Sequence, residues 1–208
     1  LVLKNNKGTE DNRVRKLDYS IQITKLFYER FIKNADITLF SPNHVPGLYE
    51  AFGMPEFDSL YLKYEKDKSI PKQTIGAQEL FMALLKERAE TGRIYIMNLD
   101  HCNTHSSFKD KIYMSNLCQE ITLPTTPVQH IDDKEGEIAL CILSAINLGL
   151  LSDMDELEEL CDLSVRALDE IIDYQEYPVE AAKISTQARR SLGIGYIGLA
   201  HYLAKNQV

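Results

Sequence analysis

The sequence predicts an α/β fold, because stretches patterned as helices alternate with stretches patterned as strands. Three observations carry this. Between Pro71 and Glu90, Leu80, Phe81, Leu84 and Leu85 recur at helical spacing, and Gly92 follows as a stop signal. Arg93 to Leu99 is then an apolar run of strand length. Glu137 to Gly149 is a second, almost continuously apolar run, whose first half is expected to be a strand buried on both faces, with Cys141 deep in the structure.

Taken in order, the chain opens on Leu1-Val2-Leu3, which resembles the tail of a strand, and Lys4 to Arg13 is polar enough to be a loop. From Val14 to Lys33, Leu17, Ile21, Tyr28, Phe31 and Ile32 predict an amphipathic helix. Asp36 to Phe40 is a short strand ended by Ser41-Pro42, and Val45 to Tyr49 is a turn into a short helix. Tyr49, Tyr61 and Tyr64 lie among Phe52, Phe57 and Leu60 at helical spacing, so half-buried packing is a simpler use for them than a stacking platform. Asp100 to His105 is expected as a polar loop after the strand. Pro124 and Pro127 break the chain, and His130 to Glu137 is an acidic turn. Asp153 starts a helix with Glu156 as capping-box partner, and Leu157, Leu160, Cys161, Ser164, Leu168, Ile171 and Ile172 form its inner stripe. Pro178 opens the last helical region.

The balance of 31 acidic against 23 basic residues, a formal charge of −8, argues against a nucleic-acid surface. Hydrophobic content of 44% and charged content of 26% are those of a soluble globular protein. No run approaches the roughly 18 apolar residues of a membrane span, and a cytoplasmic location is expected. Four cysteines, at 102, 118, 141 and 161, lack a CxxC and are expected as reduced thiols. The 208 residues begin at Leu1 without methionine, which suggests a piece of something longer.

The chemistry concentrates in Ser115-Asn116-Leu117-Cys118-Gln119-Glu120-Ile121. If this stretch is extended, Asn116, Cys118 and Glu120 share one side, about 6.6 to 6.8 Å apart, and an amide, a thiol and a carboxyl face one sugar-sized ligand. Taken alone, the triplet is more simply a buried cysteine between surface polars at a strand end. His101, Cys102 and His105 invite a metal, but no second ligand pair with zinc spacing accompanies them, and no metal site is assigned. Gly193-Ile194-Gly195-Tyr196-Ile197-Gly198 is a literal GxGxxG. A polar, basic segment precedes it and no acidic residue follows at the required distance, so the glycines are assigned to helix packing or a bend rather than to dinucleotide binding.

Asn116-x-Cys118-x-Glu120 and Ala139-Leu140-Cys141, together with Thr91-Gly92-Arg93-Ile94-Tyr95, Asp100-His101-Cys102-Asn103-Thr104-His105, Asp36 to Pro42 and Val45 to Tyr49, resemble the large, catalytic subunit of class I ribonucleoside-diphosphate reductase. The resemblance runs nearly the whole length. It implies a ten-stranded α/β barrel threaded by a finger loop, of which residues 1–208 would be the central portion, with no complete second domain. Cys118 would be the thiyl-radical cysteine that takes the 3′ hydrogen of the ribose. Glu120 would accept the 3′-hydroxyl proton, and Asn116 would hydrogen-bond the ribose hydroxyls. The backbone of Asn116, Leu117, Cys118, Gln119 and Glu120 would line the substrate pocket. Cys141 would be one of two thiols that reduce the 2′ carbon, renewed by thioredoxin or glutaredoxin. A buried, neutral thiol is the form this chemistry requires.

The same resemblance implies a ribonucleoside diphosphate substrate, a homodimer of large subunits, and a dimetal tyrosyl-radical small subunit as the source of the radical, with no cofactor bound in this segment. Nothing in the sequence matches the thiol that would pair with Cys141, the effector-binding regions, the phosphate-binding loop, the relay tyrosines or the cysteine-bearing tail. Two alternatives stand beside this reading: a short, non-catalytic piece that assembles with a partner subunit, and a cysteine hydrolase using Cys118 with His101 or His105.

Overall fold

A computed structural model describes residues 18–208. The expected strand tail at Leu1-Val2-Leu3, the loop from Lys4 to Arg13 and the first residues of the Val14–Lys33 helix lie outside the described residues. The chain divides between Leu123 and Pro124 into two compact units.

The first element among the described residues is strand β1, Tyr19–Ile23, where a helix is expected from the sequence. Tyr19, Ile21 and Ile23 alternate with Ser20 and Gln22, a period of two that the longer helical pattern concealed. The alternation prevails because β1 pairs in parallel with β4, Ile94–Asn98, and the ladder satisfies its backbone groups. Among the described residues the expected helix forms only in its second part, as α1, Lys25–Ile32. Strand β2, Asp36–Phe40, is where the sequence placed it, followed by a tight turn at Pro42–His44 and helix α2, Leu48–Ala51. Helix α3, Phe57–Lys66, buries Phe57 and Tyr61 but leaves Leu62 partly exposed.

The helix predicted from Pro71 begins later than expected. Lys72–Gly76 forms strand β3, antiparallel to β2, before α4, Ala77–Thr91, takes over. Gln73, Thr74 and Ile75 find a ladder on β2 that a helical turn would forfeit, so tertiary pairing overrides the continuous helix. Leu84 of α4 is buried, Leu80 and Phe81 are half-buried, and Leu85 lies partly exposed at the margin of the expected inner face. Gly92 stops α4 in the left-handed conformation, φ 68°, that L side chains adopt rarely. After β4 the expected polar loop is instead helix α5, Leu99–Thr104, which seats Leu99 and half-buries Cys102 against Met97 and Ile112.

The main core of this unit gathers Leu26, Val45, Leu48, Ala51, Phe57 and Tyr61. Tyr61 donates its hydroxyl to Thr38 O at 2.8 Å and accepts the Thr38 N–H at 2.7 Å, tying α3 to β2. Tyr49, by contrast, is 71% exposed. Beside Tyr61 the Arg30 guanidinium meets Glu65 through two bonds of 2.6 and 2.5 Å, and Thr38 Oγ1 donates to the same carboxylate at 2.7 Å.

The second unit is built on β5, Ile142–Asn147, parallel to β6, Leu192–Ile197, with helices α6, Asp155–Tyr174, and α7, Glu180–Arg189, in the connection. The strand occupies the second half of the apolar run, not the first. Cys141 therefore precedes it and is half-buried rather than deep. Glu137 is held instead by an ion pair of 2.7 Å with Arg189 and by a bridge to Thr126, which draws the start of the run out of the strand. In the acidic turn before it, Asp133 accepts backbone N–H bonds from Gln129, Glu135 and Gly136.

Helix α6 starts two residues after Asp153, and the expected capping box forms only in part: Glu156 N–H donates to Asp153 Oδ1 at 3.0 Å, but the Glu156 carboxylate accepts the N–H of Ser152, at 2.9 Å, rather than that of Asp153. Leu157, Leu160, Ser164, Leu168 and Ile172 turn inward, whereas Cys161 and Ile171 at the edges of the stripe are exposed. The GxGxxG stretch is strand β6, which packs on α6, and the bend at Gly198 that ends it. Gly198 then opens helix α8, Leu199–Asn206, at φ 73°, where a Cβ would stand 2.5 Å from Asn147 Oδ1. The first two glycines lie inside the strand rather than in a phosphate-facing turn, so the dinucleotide reading remains rejected.

The α/β class holds, but the described residues contain three separate two-stranded sheets and no closed barrel. Six strands in isolated pairs keep their edges open, and closure into ten would require further strands between them. Among the described residues no helix is long and apolar enough to cross a membrane.

Candidate active site

The segment carrying the Asn116, Cys118 and Glu120 triplet rises from α5 without regular secondary structure and is held by side chains. Asn103 mimics a strand partner: its Oδ1 accepts the Ile112 N–H at 2.8 Å and its Nδ2 donates to Ile112 O at 3.0 Å. Ile112 itself is fully buried. Gln22 of β1 donates to Tyr113 O at 2.6 Å, and Lys111 Nζ donates to Glu50 O. The loop begins from this anchored base.

At its tip the chain reverses. Gln119 N–H donates to Asn116 O at 3.1 Å, and the Ile121 N–H donates to Asn116 Oδ1 at 3.0 Å. Ser115 Oγ closes the base of the turn on Ile121 O at 2.5 Å. Gln119 adopts φ 65°, and its Nε2 reaches Ser20 Oγ at 2.5 Å. Leu117 and Cys118 occupy the outside of the turn, and Asn116, Cys118 and Glu120 are all exposed.

Two expectations are corrected here. The stretch is not extended, so the alternating-side geometry that aligned the three groups does not hold. Asn116 supplies the physical reason, because its side chain caps the Ile121 N–H and offers the backbone a turn in place of a ladder. The Cys118 thiol is also not buried. The segment buries Ile112 and half-buries Gln119, one on each side of the thiol, which leaves the tip outside the packing. The structure nonetheless brings Asn116, Leu117, Cys118, Gln119 and Glu120 together in one turn.

A cleft of about 310 Å³ lies beside this turn, lined among others by Ser20, Gln22, Tyr95, Ser115, Asn116 and Gln119. Its wall sets the Asp18 carboxyl, the Ser20 and Ser115 hydroxyls and three carboxamides among the rings of Tyr19 and Tyr95 and the apolar Met114 and Leu117, whereas Cys118 and Glu120 do not line it. Asn116 Oδ1 is spent within the turn, so its NH2 is the end that can donate to such a ligand. Sequence patterning missed Ser20, Gln22 and Tyr95 because their relation to the loop exists only through the pairing of β1 with β4.

The remaining cysteines fall elsewhere. Cys141 belongs to the second unit, just ahead of β5. Burial, assisted by the negative charge of Asp100, pushes the Cys102 thiol up from its ordinary value, so it stays protonated. The His101 and His105 rings stand 5.6 Å apart, with His105 Nδ1 engaged by His101 O and Thr104 Oγ1 inside α5. Among the described residues no group of three His, Cys, Asp or Glu side chains could hold a metal ion.

Residues 1–208 match the family described as ribonucleotide reductase, barrel domain. The chain belongs to this family. It is 62% identical over 213 residues to the ribonucleoside-diphosphate reductase subunit alpha of Haemophilus influenzae, covering 100% of this chain and 28% of that protein. It is 60% identical over 211 residues to the ribonucleoside-diphosphate reductase 1 subunit alpha of Escherichia coli, covering 99% and 28% respectively. A ribonucleoside-diphosphate reductase large subunit of Plasmodium falciparum is 39% identical over 209 residues, covering 96% of this chain and 25% of that protein. The chain thus spans little more than a quarter of these relatives, and within the family it supplies barrel-domain residues.

Proposed function

We propose that this chain is the central segment of a ribonucleoside-diphosphate reductase large subunit and carries the reacting cysteine for reduction of ribonucleoside diphosphates to deoxyribonucleoside diphosphates. The observation that supports this best is the turn at Asn116 to Ile121. It presents Cys118 at its tip, with a carboxamide and a carboxyl two residues away on either side, and its Asn116, Leu117 and Gln119 line the neighbouring cleft. Cys118, as a thiyl radical, takes the 3′ hydrogen of the ribose and becomes a thiol. Glu120 takes the 3′-hydroxyl proton, acting as a positioned base. Asn116 donates its NH2 to the ribose hydroxyls, and the backbone from Asn116 to Glu120 contacts the sugar.

Cys141 is one of the two thiols that supply the reducing electrons, and thioredoxin or glutaredoxin renews the pair. The radical originates outside these residues, on a dimetal tyrosyl-radical small subunit, and the large subunit works as a homodimer in the cytoplasm. Residues 1–208 form the central portion of one barrel domain, whose remaining strands cover the open sheet edges and the exposed thiol.

The deciding experiment replaces Cys118 by Ser in the complete protein and measures reduction and nucleotide binding together. The expected outcome is loss of turnover with binding retained. Retained turnover would overturn the assignment and leave a non-catalytic segment as the alternative.

A further inference from the structure

We propose that Gln119 and Ser20 form a positioning clamp that sets where the Cys118 thiol stands when substrate is bound. The proposal rests on the reaction assigned to Cys118 above and adds two residues that act through it.

The turn is already closed on itself by Asn116, Ser115 and the Gln119 backbone N–H, so its shape does not require the Gln119 side chain. Yet Gln119, the residue directly after the thiol, stands at φ 65°, where a glycine or asparagine would be more comfortable. Its side chain is what this conformation serves. Nε2 reaches Ser20 Oγ at 2.5 Å, joining positions 99 residues apart, while Oε1 is buried and has no hydrogen-bond partner among the described residues. A solvated surface glutamine would leave neither its carbonyl oxygen stranded nor its backbone in the left-handed region.

Ser20 is equally specific as an anchor. It lies in β1, whose partner at this position is Tyr95 of β4, so the loop tip is fastened to a hydrogen-bonded strand pair. Two residues further along the same side of β1, Gln22 holds the rising limb of the loop at Tyr113 O. One strand edge therefore grips the loop at two points, one before the thiol and one beside it. Asn116 shapes the turn, and the Ser20–Gln119 bond fixes where the shaped turn sits. A hydrogen transfer is sensitive to that placement, because misplacing reacting atoms by about 1 Å can cost on the order of 100-fold in rate.

The test uses the complete large subunit assayed with its radical-generating partner. Ser20→Ala and Gln119→Leu are each expected to lower kcat about tenfold while KM stays within about twofold, the signature of a lost transition-state placement. Ser20→Thr, which keeps the hydroxyl, restores turnover, and Gln119→Gly, which relieves the backbone but removes the carboxamide, does not. The double variant loses no more than the worse single one. Hydrogen exchange of the 111–123 peptide in resting protein provides a readout apart from activity, and it quickens in Ser20→Ala and Gln119→Leu. Wild-type kcat in both single variants, full activity of Gln119→Gly, multiplicative losses in the double variant, or unchanged exchange would each overturn the clamp. If Cys118→Ser retains turnover, the assigned reaction fails instead, and the exchange measurement still decides whether the clamp exists.

Discussion

At the scale of single residues, the site depends on carboxamides. Asn116, Asn103 and Gln22 each pair with a backbone group that no strand or helix satisfies, and Gln119 reaches the Ser20 hydroxyl. Replacing Asn116 by Ala strips the acceptor from the Ile121 N–H and is expected to cost about 1 kcal/mol locally. Faster exchange of the Ile121 amide, together with loss of turnover in the complete protein, would check this. Asn116→Asp keeps the acceptor and is expected to preserve the turn but not the donation to a ligand.

A second prediction concerns Glu65. Hydrogen bonds from Arg30 hold its carboxyl below the usual range, against the opposing effect of partial burial and with help from Thr38. A depressed folded value means stability that is fully present above the unfolded pKa, about 4.3, and is lost as pH falls through the folded one. Wild type is therefore expected to lose melting temperature on acidification below about pH 4 more steeply than Glu65→Gln. At neutral pH Glu65→Gln is expected to be less stable, because Arg30 then lacks its ionic partner.

At the scale of elements, propensity and pairing compete, and pairing wins at the front of two predicted helices. Tyr19–Ile23 and Lys72–Gly76 sit at the front of patterns that read as longer helices, and both become strands because β4 and β2 offer ladders. Asp36–Phe40 and Ile94–Asn98 were legible because their apolar runs are short and bounded by Ser-Pro or Gly signals. The Cys118 turn was not legible as a turn, since the side-chain bonds that make it are invisible to a periodicity count.

Element junctions carry the next prediction. Gly198 joins β6 to α8 at φ 73°, and a Cβ there would press on Asn147 Oδ1. Gly198→Ala is expected to cost roughly 2 kcal/mol or more, through strain and the loss of the Asn147 contact with the Gly149 N–H. Thermal unfolding of the complete protein checks it, with Gly195→Ala, which has open space around it, as the mild control.

At the scale of the whole molecule, two compact units carry different parts of the proposed chemistry: Cys118 in residues 1–123 and Cys141 in residues 124–208. If Cys141 is one of two reducing thiols, Cys141→Ser in the complete protein is expected to abolish repeated turnover with thioredoxin while leaving nucleotide binding and the melting temperature near wild type. Continued turnover through many cycles would remove Cys141 from the reaction. Its half-buried position ahead of β5 suits a thiol that must meet both a substrate and an external reductant.

By itself the sequence determined the α/β class, the short strands with sharp boundaries, the Asp153–Glu156 contact at the start of α6 and the residue types at the Cys118 turn, because each is a local property of spacing and side-chain chemistry. Tertiary structure alone decided that Tyr19–Ile23 is a strand, that Cys118 stands exposed on a turn, and that Ser20, Gln22 and Gln119 meet. Those outcomes depend on hydrogen bonds between residues far apart in the chain, whose free energy exists only once β1 and β4 have paired.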